Sequence, residues 1–236
     1  FLNSQFSDKE REKEVEVIRN EIQGYDDSPS ELIFDRAEEL LYPEHPIGRN
    51  ILGTEESLTS FRNGTVEKFL SENYATDEMV LSSTGNLSFQ QVKKIAERYF
   101  GDIPMKTRIR PRIQPVAESA QRITETRNTF QRHCMMVGEA FPLKDSRRLR
   151  LYLLNNILGG PGMNSRLNMA LRERRGYSYS AESHYAPYSD TGALMIYFSS
   201  DPEKFQKSLQ VSRDEIRKLR NRPISERRLQ FARKQL

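Results

Sequence analysis

The sequence is poor in the residues that form disulfides and metal clusters. Its 236 residues include one cysteine, three histidines and no tryptophan. The single cysteine, Cys134, excludes an internal disulfide and any cysteine-based zinc cluster. Because it lies in the apolar stretch Cys134-Met135-Met136-Val137, we interpret it as a small core residue rather than as a nucleophile.

Long apolar stretches are also absent. No segment approaches the roughly 18 consecutive apolar residues of a membrane span, and no secretory signal is visible. Hydrophobic residues make up 36% of the chain and charged residues 30%, which is typical of a soluble globular protein with a highly charged surface. We therefore predict no membrane partner, and we expect one or two domains with a sizeable core.

Neither sign of charge is in large excess, since the formal net charge is +4. Basic clusters occur at residues 108–112, 147–150 and 172–175, and such clusters can bind phosphates. They mostly alternate with acids or fall on helical faces, and no aromatic stacking pattern or nucleic-acid motif accompanies them. We predict a solvated surface and no nucleic-acid partner. An RNA-binding module stays open as an alternative, which salt-sensitive RNA binding would support.

Local signals divide the chain into helices and strands. Ser7 with Glu10, and Ser88 with Gln91, form capping boxes that predict the starts of helices. Residues 103–117 carry three prolines and no periodic pattern, which predicts a linker. The other predicted elements are helices that start near residues 29, 54 and 65, helices at 143–158, 164–174 and 201–219, and strands at 79–85, 132–141, 178–185 and 192–199.

The mixture of helices and strands predicts an α+β fold, because adjacent strands are joined by short turns. We expect two related domains, each a mostly antiparallel sheet packed with helices and each incomplete. The linker places the boundary between residues 1–117 and residues 118–236. The glycine-rich segment at 159–162 lacks the lysine-serine ending of a P-loop and the GxGxxG spacing. We interpret it as a helix-to-helix turn rather than as a phosphate cradle.

Two glutamates, Glu14 and Glu21, interrupt the apolar stripe of the first predicted helix. They are seven residues apart, and at about 100° per residue seven steps return to nearly the same face. A buried carboxylate is costly unless a cation, a metal or hydrogen-bond donors neutralise it, and zinc accepts carboxylates beside histidine. Two interpretations remain open: a metal site, or a tilted helix whose charged rim begins at these positions.

Five segments of the chain carry a further signal. They are residues 13–22 (KEVEVIRNEI), 45–57 (beginning HPIG and ending LGTEES), 73–86 (NY to GN), 159–167 (beginning GG and ending SRL) and 171–179 (LRERRGYSY). Together and in this order they resemble the pitrilysin/insulinase family of zinc metallopeptidases, in the branch that includes mitochondrial processing peptidase. The resemblance covers nearly the whole chain.

The resemblance implies roles for four residues. Glu21 would be the third protein ligand of a catalytic zinc, and Glu14 would be a nearby carboxylate that orients the site. Arg172 and Tyr179 match the arginine and tyrosine with which the second domain of the family holds substrate backbone or stabilises the transition state. Without the resemblance, Arg172 would be a solvated helix residue beside Glu173, and Tyr179 a sheet-core aromatic.

The family's His-x-x-Glu-His motif, typical of inverzincins, supplies two zinc ligands and the general base, and this sequence lacks it. No two of His45, His133 and His184 are four residues apart. We interpret His45 as a structural hydrogen-bonding residue of the His-Pro loop. We expect the motif to precede Phe1, so that the chain is an internal fragment which is inactive alone and binds zinc weakly or not at all.

The resemblance implies that the intact protein is a zinc-dependent endopeptidase, which hydrolyses peptides within a chamber between paired domains by means of a zinc-bound water. Residues 1–117 would be the later part of its catalytic domain, and residues 118–236 the earlier part of its substrate-clamping domain. The expected partners are a peptide substrate and a second copy or a homologous subunit. The alternative is a non-catalytic partner subunit that holds substrate or scaffolds the complex; the retention of Glu14 and Glu21 argues against it.

Overall fold

The computed structural model describes residues 4–62, 64–109 and 111–235. Arg110, which belongs to the first basic cluster, lies outside the described residues. Besides two short 3-10 helices at Pro46–Gly48 and Thr76–Glu78, the described residues form the following helices and strands in chain order: α1 Asp8–Asp26, α2 Pro29–Leu41, α3 Glu55–Thr59, α4 Thr65–Asn73, α5 Phe89–Phe100, β1 Arg132–Glu139, α6 Arg148–Gly159, a π-helix Asn168–Glu173, β2 Ser178–Pro187, β3 Gly192–Ser200, α7 Phe205–Asn221 and α8 Glu226–Lys234. None of these helices combines the length and the apolarity that crossing a membrane requires.

The chain forms two compact units. The first comprises Phe1–Ile18 and Glu55–Ile113, and the second comprises Arg19–Thr54 and Gln114–Leu236. Helix α1 therefore begins in the first unit and ends in the second. The sequence predicts a different boundary, after residue 117, between the two domains expected from the family resemblance. This boundary stays a prediction.

The first unit contains helices α3, α4 and α5. Both predicted capping boxes are present: the Glu10 N–H donates to Ser7 Oγ over 3.3 Å, and the Ser88 N–H donates to Gln91 Oε1 over 2.9 Å. They satisfy backbone donors that a helix start leaves unpaired. The predicted starts of α1 and α5 are thus confirmed.

The strand predicted at residues 79–85 is wrong. These residues are not in a strand, and the apolar side chains of Val80 and Leu81 are 89% and 60% exposed. A strand is stable only when a neighbour pairs with its backbone groups, and the described residues of the first unit contain no other strand. The apolar pattern of residues 79–85 indicates a segment that could form a strand. It does not show whether a second strand is present to pair with it.

The second unit is built on a three-stranded antiparallel sheet in the order β1-β3-β2. The three strands predicted in this half of the chain are confirmed, and so is the α+β fold class. Strand β3 is central and buried along nearly its whole length. Its mostly apolar sequence, GALMIYFSS, suits a strand that is covered on both faces.

The two faces of the sheet pack against different helices. The α6 face packs against α6, α7 and the π-helix region, and the buried members of its core are Leu158, Leu167, Leu171, Ala181, Ile196 and Phe198. The opposite α2 face packs against the end of α2, and its buried members are Leu41, Tyr42, Ala193 and Met195. Each fully buried leucine or phenylalanine stabilises the fold by about 1.5–3 kcal/mol.

Cys134 packs against the α6-face core, as its apolar neighbours in the sequence predict. Burial raises the pKa of its thiol to about 11. The thiolate is the nucleophilic form of cysteine, and at neutral pH this thiol stays protonated. Cys134 is thus a partly buried residue packed against the core, and its interpretation as a packing residue rather than a nucleophile is supported.

Helix α6 ends at Gly159 within the glycine-rich segment, which is the predicted helix-to-helix turn. A Cβ atom at Gly159 would lie 2.5 Å from the Ser183 backbone nitrogen and 2.7 Å from the Glu182 carbonyl carbon. Atoms of the β2 backbone cannot move aside as the end of a flexible side chain can. Glycine is therefore required here, because α6 approaches the backbone of β2 too closely for any side chain.

We expect Gly159→Ala to destabilise the protein by about 1–3 kcal/mol, because the new methyl group forces α6 away from β2. The free energy of unfolding in urea measures the effect. Gly24→Ala is the matched control, since a Cβ at Gly24 on α1 meets nothing within 4 Å. Alanine favours a helix over glycine, so the control should be neutral or more stable by about 0.5–1 kcal/mol. Equal stability of Gly159→Ala and the wild type would contradict this account of the close approach.

Candidate functional site

Helix α2 is fixed to the sheet by tyrosine hydroxyls. Tyr42, which follows α2, has its hydroxyl 2.8 Å from Thr191 Oγ1 and donates to the Gly192 carbonyl over 3.0 Å. Tyr188 donates a further hydrogen bond to Glu38 on α2. Buried polar groups that are paired in this way fix one arrangement of their elements. The C-terminal half of α2 is therefore held against the sheet.

An open groove of about 580 Å³ lies between the N-terminal half of α2 and the α2 face of the sheet. Its lining is aromatic and polar rather than aliphatic. It includes Glu31 and Phe34 from α2, Tyr179, Glu182 and His184 from β2, and Tyr197 from β3. Concave sites that combine rings with a few polar groups are the usual form of ligand-binding sites.

Aromatic rings pack together along this groove. Phe34 meets His184 edge to face, with 5.3 Å between the ring centroids, and meets Tyr197 at 5.6 Å. The Tyr197 hydroxyl and His133 Nδ1 share a hydrogen bond of 2.8 Å. Burial lowers the pKa of His133, so this imidazole is neutral at neutral pH. The contacts order the rings before any ligand binds.

Glu182 and His184 form the charged pair of the groove, with 3.2 Å between Glu182 Oε2 and His184 Nε2. The hydrogen bond to Glu182 raises the pKa of His184, and the same bond lowers the pKa of Glu182. Both side chains are partly exposed. The pair can therefore exchange its hydrogen bond with a ligand that enters the groove.

Strand β2 contains a bulge at the edge of this groove. Its register with β3 pairs Ser178 with Ser200, and the next pair is Ser180 with Ser199. Tyr179 is thus the extra residue, with no partner on β3. A bulge of this kind locally changes the direction of side chains.

The bulge decides which face of the sheet Tyr179 occupies. Ala181, Ser183 and Tyr185 are buried, and strict alternation from them would place Tyr179 on the α6 face as well. Instead Ser178 is buried and the Tyr179 side chain is 77% exposed, lining the groove. The alternative of a sheet-core aromatic at this position is therefore wrong.

Arg172 lies near the end of the π-helix, a form of helix that is often found at functional sites. The preceding residues Leu167, Ala170 and Leu171 are buried and anchor this segment. Arg172 itself is exposed, and its Nε lies 3.8 Å from Glu173 Oε1. Arg172 is thus a solvated residue beside Glu173, as expected without the family resemblance. Its role in holding substrate stays a prediction.

A short turn connects Arg172 to β2. The Gly176 N–H donates to the Arg172 carbonyl over 2.9 Å, and the Tyr177 N–H donates to the Leu171 carbonyl over 2.8 Å. Gly176 has a φ of 57°, which a residue without a side chain adopts at little cost. Because the π-helix packs against β2, Arg172 and Tyr179 lie on adjacent segments of one unit.

The apolar stripe of α1 predicts that Glu14 and Glu21 lie on a buried face, and this prediction is wrong. Both carboxylates are exposed, and helix α1 has no buried residue. Val17, on the same stripe, is 57% exposed. The apolar pattern predicts a contact face, but the described residues do not cover it. The assignment of Glu21 as a metal ligand and of Glu14 as its neighbour stays a prediction.

The described residues of this chain do not form a zinc site by themselves. They contain no group of three or more His, Cys, Asp or Glu side chains that could hold a metal ion. His45 Nδ1 accepts the Ile47 N–H over 3.1 Å, which confirms its structural role. His133 and His184 bind Tyr197 and Glu182 in the groove. The described residues therefore supply too few donors for a catalytic zinc site, which needs three protein ligands.

Comparison with known proteins identifies the family. Residues 61–236 match the sequence model of a protein family that is described as "Peptidase M16 inactive domain". The chain therefore belongs to the peptidase M16 family, and the resemblance seen in its sequence is confirmed. The chain is also 30% identical, over its full length, to a Bacillus subtilis protein named "Uncharacterized zinc protease YmxG" and covers 57% of it. An "Uncharacterized zinc protease" of Rickettsia bellii is 27% identical, over 99% of this chain and 56% of that protein.

Solved structures show the same fold. A peptidase M16 inactive domain from Pseudomonas fluorescens matches with a TM-score of 0.89 at 22% identity, over 99% of this chain and 57% of that chain. A protease from Helicobacter pylori matches with a TM-score of 0.84 at 18% identity, over 98% and 57%. The chain thus spans about half the length of the relatives it matches.

Sequence reasoning missed the groove residues Glu182, His184 and Tyr197. A signal for two of them is present, because Ser180, Glu182 and His184 alternate with the buried residues of β2. This alternation indicates a polar face of the sheet. It does not indicate that α2, which lies far away in sequence, covers part of that face.

We expect Glu182→Gln to lower the pKa of His184, because the imidazolium loses its carboxylate partner. NMR titration of the imidazole resonances measures the shift. His133 is the internal control, since its lowered pKa comes from burial alone and should not change. An unchanged titration of His184 in the variant would contradict the pairing.

The same pair predicts how stability depends on pH. The raised pKa of His184 adds stability that is complete below its ordinary value of 6.5 and is lost as the pH rises through the folded-state pKa. The lowered pKa of Glu182 adds stability that is present above its ordinary value of 4.5 and is lost as the pH falls through the folded-state pKa. The stability difference between wild type and Glu182→Gln should therefore be largest between pH 4.5 and 6.5.

Proposed function

We propose that this chain is part of a zinc-dependent endopeptidase and that the sheet of its second unit, formed by strands within residues 132–200, holds the peptide substrate. The observation that carries the proposal is the bulge of β2, which directs Tyr179 into the groove in a protein of the peptidase M16 family. The names of the two relatives, both called zinc proteases, support the same class of reaction. In this proposal residues 1–117 belong to the catalytic domain and residues 118–236 to the clamping domain.

Tyr179 and Arg172 act on the substrate in this proposal. The exposed Tyr179 hydroxyl donates to the oxygen of the peptide carbonyl as negative charge develops on it. Arg172 donates hydrogen bonds to a carbonyl of the substrate backbone, for which its guanidinium offers five N–H donors. Arg172 binds Glu173 over a long 3.8 Å contact between exposed groups, and such a contact costs little to exchange for a ligand.

Glu21 would serve as one zinc ligand, and Glu14 would orient it from one helical repeat away. Zinc supplies Lewis-acid chemistry when it is bound. Because the described residues of this chain supply too few donors, the other ligands and the general base would come from the longer protein. That protein would close a chamber around the peptide together with a second copy or a homologous subunit.

A second candidate is a non-catalytic subunit that holds substrate or scaffolds a complex. The family description, which names an inactive domain, is the observation that favours it. The two candidates differ in zinc content. A purified longer protein that contains zinc and hydrolyses peptides supports the first, and peptide binding without zinc or hydrolysis supports the second.

In the longer protein, we expect Glu21→Gln to lower zinc affinity by more than about 100-fold, because even outer residues of metal sites contribute about 10–100-fold. Elemental analysis after dialysis measures the zinc content. Glu12→Gln is the matched control: this exposed glutamate lies on the same helix, and nine steps of about 100° place it on the opposite face. Full zinc content in Glu21→Gln would remove this residue from the ligand set.

We expect Arg172→Ala to lower kcat/KM for peptide hydrolysis by about 10²–10³-fold, because one donor to the reacting region is lost. The zinc content should not change. Arg174→Ala, at an exposed position two residues away, is the control and should retain activity. Loss of zinc from Arg172→Ala, with no loss from the control, would show that this arginine has a different role.

A further inference from the structure

Ser178 occupies an unusual position beside the bulge of β2. It is 5% exposed, and its hydroxyl lies 2.5 Å from the Ser180 carbonyl oxygen and 2.6 Å from the Ser199 carbonyl oxygen. Ser180 and Ser199 are the first pair of residues beyond the bulge. A single hydroxyl donor therefore connects β2 to β3 at the point where their pairing is interrupted.

The position of this donor matters because the bulge disturbs the ladder of backbone hydrogen bonds. Buried carbonyl groups need donors, and leaving one unpaired costs its desolvation. The Ser178 hydroxyl supplies its hydrogen to this pair of carbonyls. Without the bulge, strict alternation would turn Ser178 to the groove and Tyr179 to the α6 face.

We propose that Ser178 is the positioning residue that holds the bulge in β2 and thereby directs Tyr179 into the groove. The inference rests on the proposed role of Tyr179 in peptide hydrolysis. Ser178 is buried, so it acts through Tyr179 rather than by touching the substrate. Its loss lets Tyr179 occupy other directions, which lowers the fraction of bound substrate that meets the tyrosine hydroxyl.

The sheet provides a matched control for this serine. Ser200 lies opposite Ser178 in the register of β2 and β3 and is 0% exposed. Among the described residues its hydroxyl has no hydrogen-bond partner. Ser200→Ala therefore removes a serine hydroxyl at a similar depth of burial, but it removes no hydrogen bond across the bulge.

The test is a double-mutant cycle in the longer protein, with kcat and KM measured on a fluorogenic peptide. Ser178→Ala should lower kcat by about tenfold with little change in KM, as expected for an interaction made only in the transition state. Ser200→Ala should keep the wild-type kcat. In a Tyr179→Phe background, Ser178→Ala should have no further effect, because the hydroxyl that it positions is already gone.

The outcomes separate the inference from the proposed function. If Tyr179→Phe lowers kcat and Ser178→Ala lowers it further by the same tenfold factor, Ser178 does not act through Tyr179 and the inference is overturned. If Tyr179→Phe keeps the wild-type kcat, the proposed role of Tyr179 fails and the inference fails with it. If Ser178→Ala does not fold, Ser178→Thr and Ser178→Cys are measured in its place. The threonine variant keeps a hydroxyl donor, so its kcat should stay near the wild-type value. The cysteine variant carries a weaker donor, so its kcat should fall. Equal kcat in both variants would contradict the inference.

Discussion

The second unit depends on the burial of strand β3 on both of its faces. Because β3 pairs with β1 and β2 and is covered by helices on each side, the pairing register decides the environment of every side chain in the sheet. A shift of one residue moves a side chain from one face to the other. The bulge in β2 is a shift of this kind that is confined to Ser178 and Tyr179. It leaves the buried residues from Ala181 onward in place and exchanges the faces that Ser178 and Tyr179 occupy.

Two local irregularities present the candidate substrate-binding residues. A π-helix is an α-helix widened by an extra residue, and a bulge is a strand with an extra residue. Arg172 lies in the first, Tyr179 in the second, and the turn at Gly176 joins them. Such irregular segments weaken regular hydrogen bonding, so the surrounding structure must hold them. Here the buried Leu167 and Leu171 hold the π-helix, and the Ser178 hydroxyl spans the bulge.

Much of the fold follows from the sequence because its signals are local. The capping boxes at Ser7 and Ser88 and the alternation of β2 could all be recognised from neighbouring residues. The strand at residues 79–85 could not be judged in this way, since its stability depends on a partner strand. The prediction that Glu14 and Glu21 are buried was wrong for the same reason. An apolar stripe on a helix predicts a contact face, but it does not identify the segment that would cover this face. The bulge was missed because one inserted residue barely changes a hydrophobic pattern, although it decides where Tyr179 lies.

The central proposal is that the groove beside α2 receives the substrate and that Tyr179 meets its reacting carbonyl. A crystal structure of the longer protein with a bound, non-hydrolysable peptide analogue tests this claim directly. We expect the peptide to lie along the groove, with the Tyr179 hydroxyl about 2.6–3.2 Å from the oxygen that replaces the scissile carbonyl. A peptide bound elsewhere, with Tyr179 out of hydrogen-bond reach of it, would contradict the account.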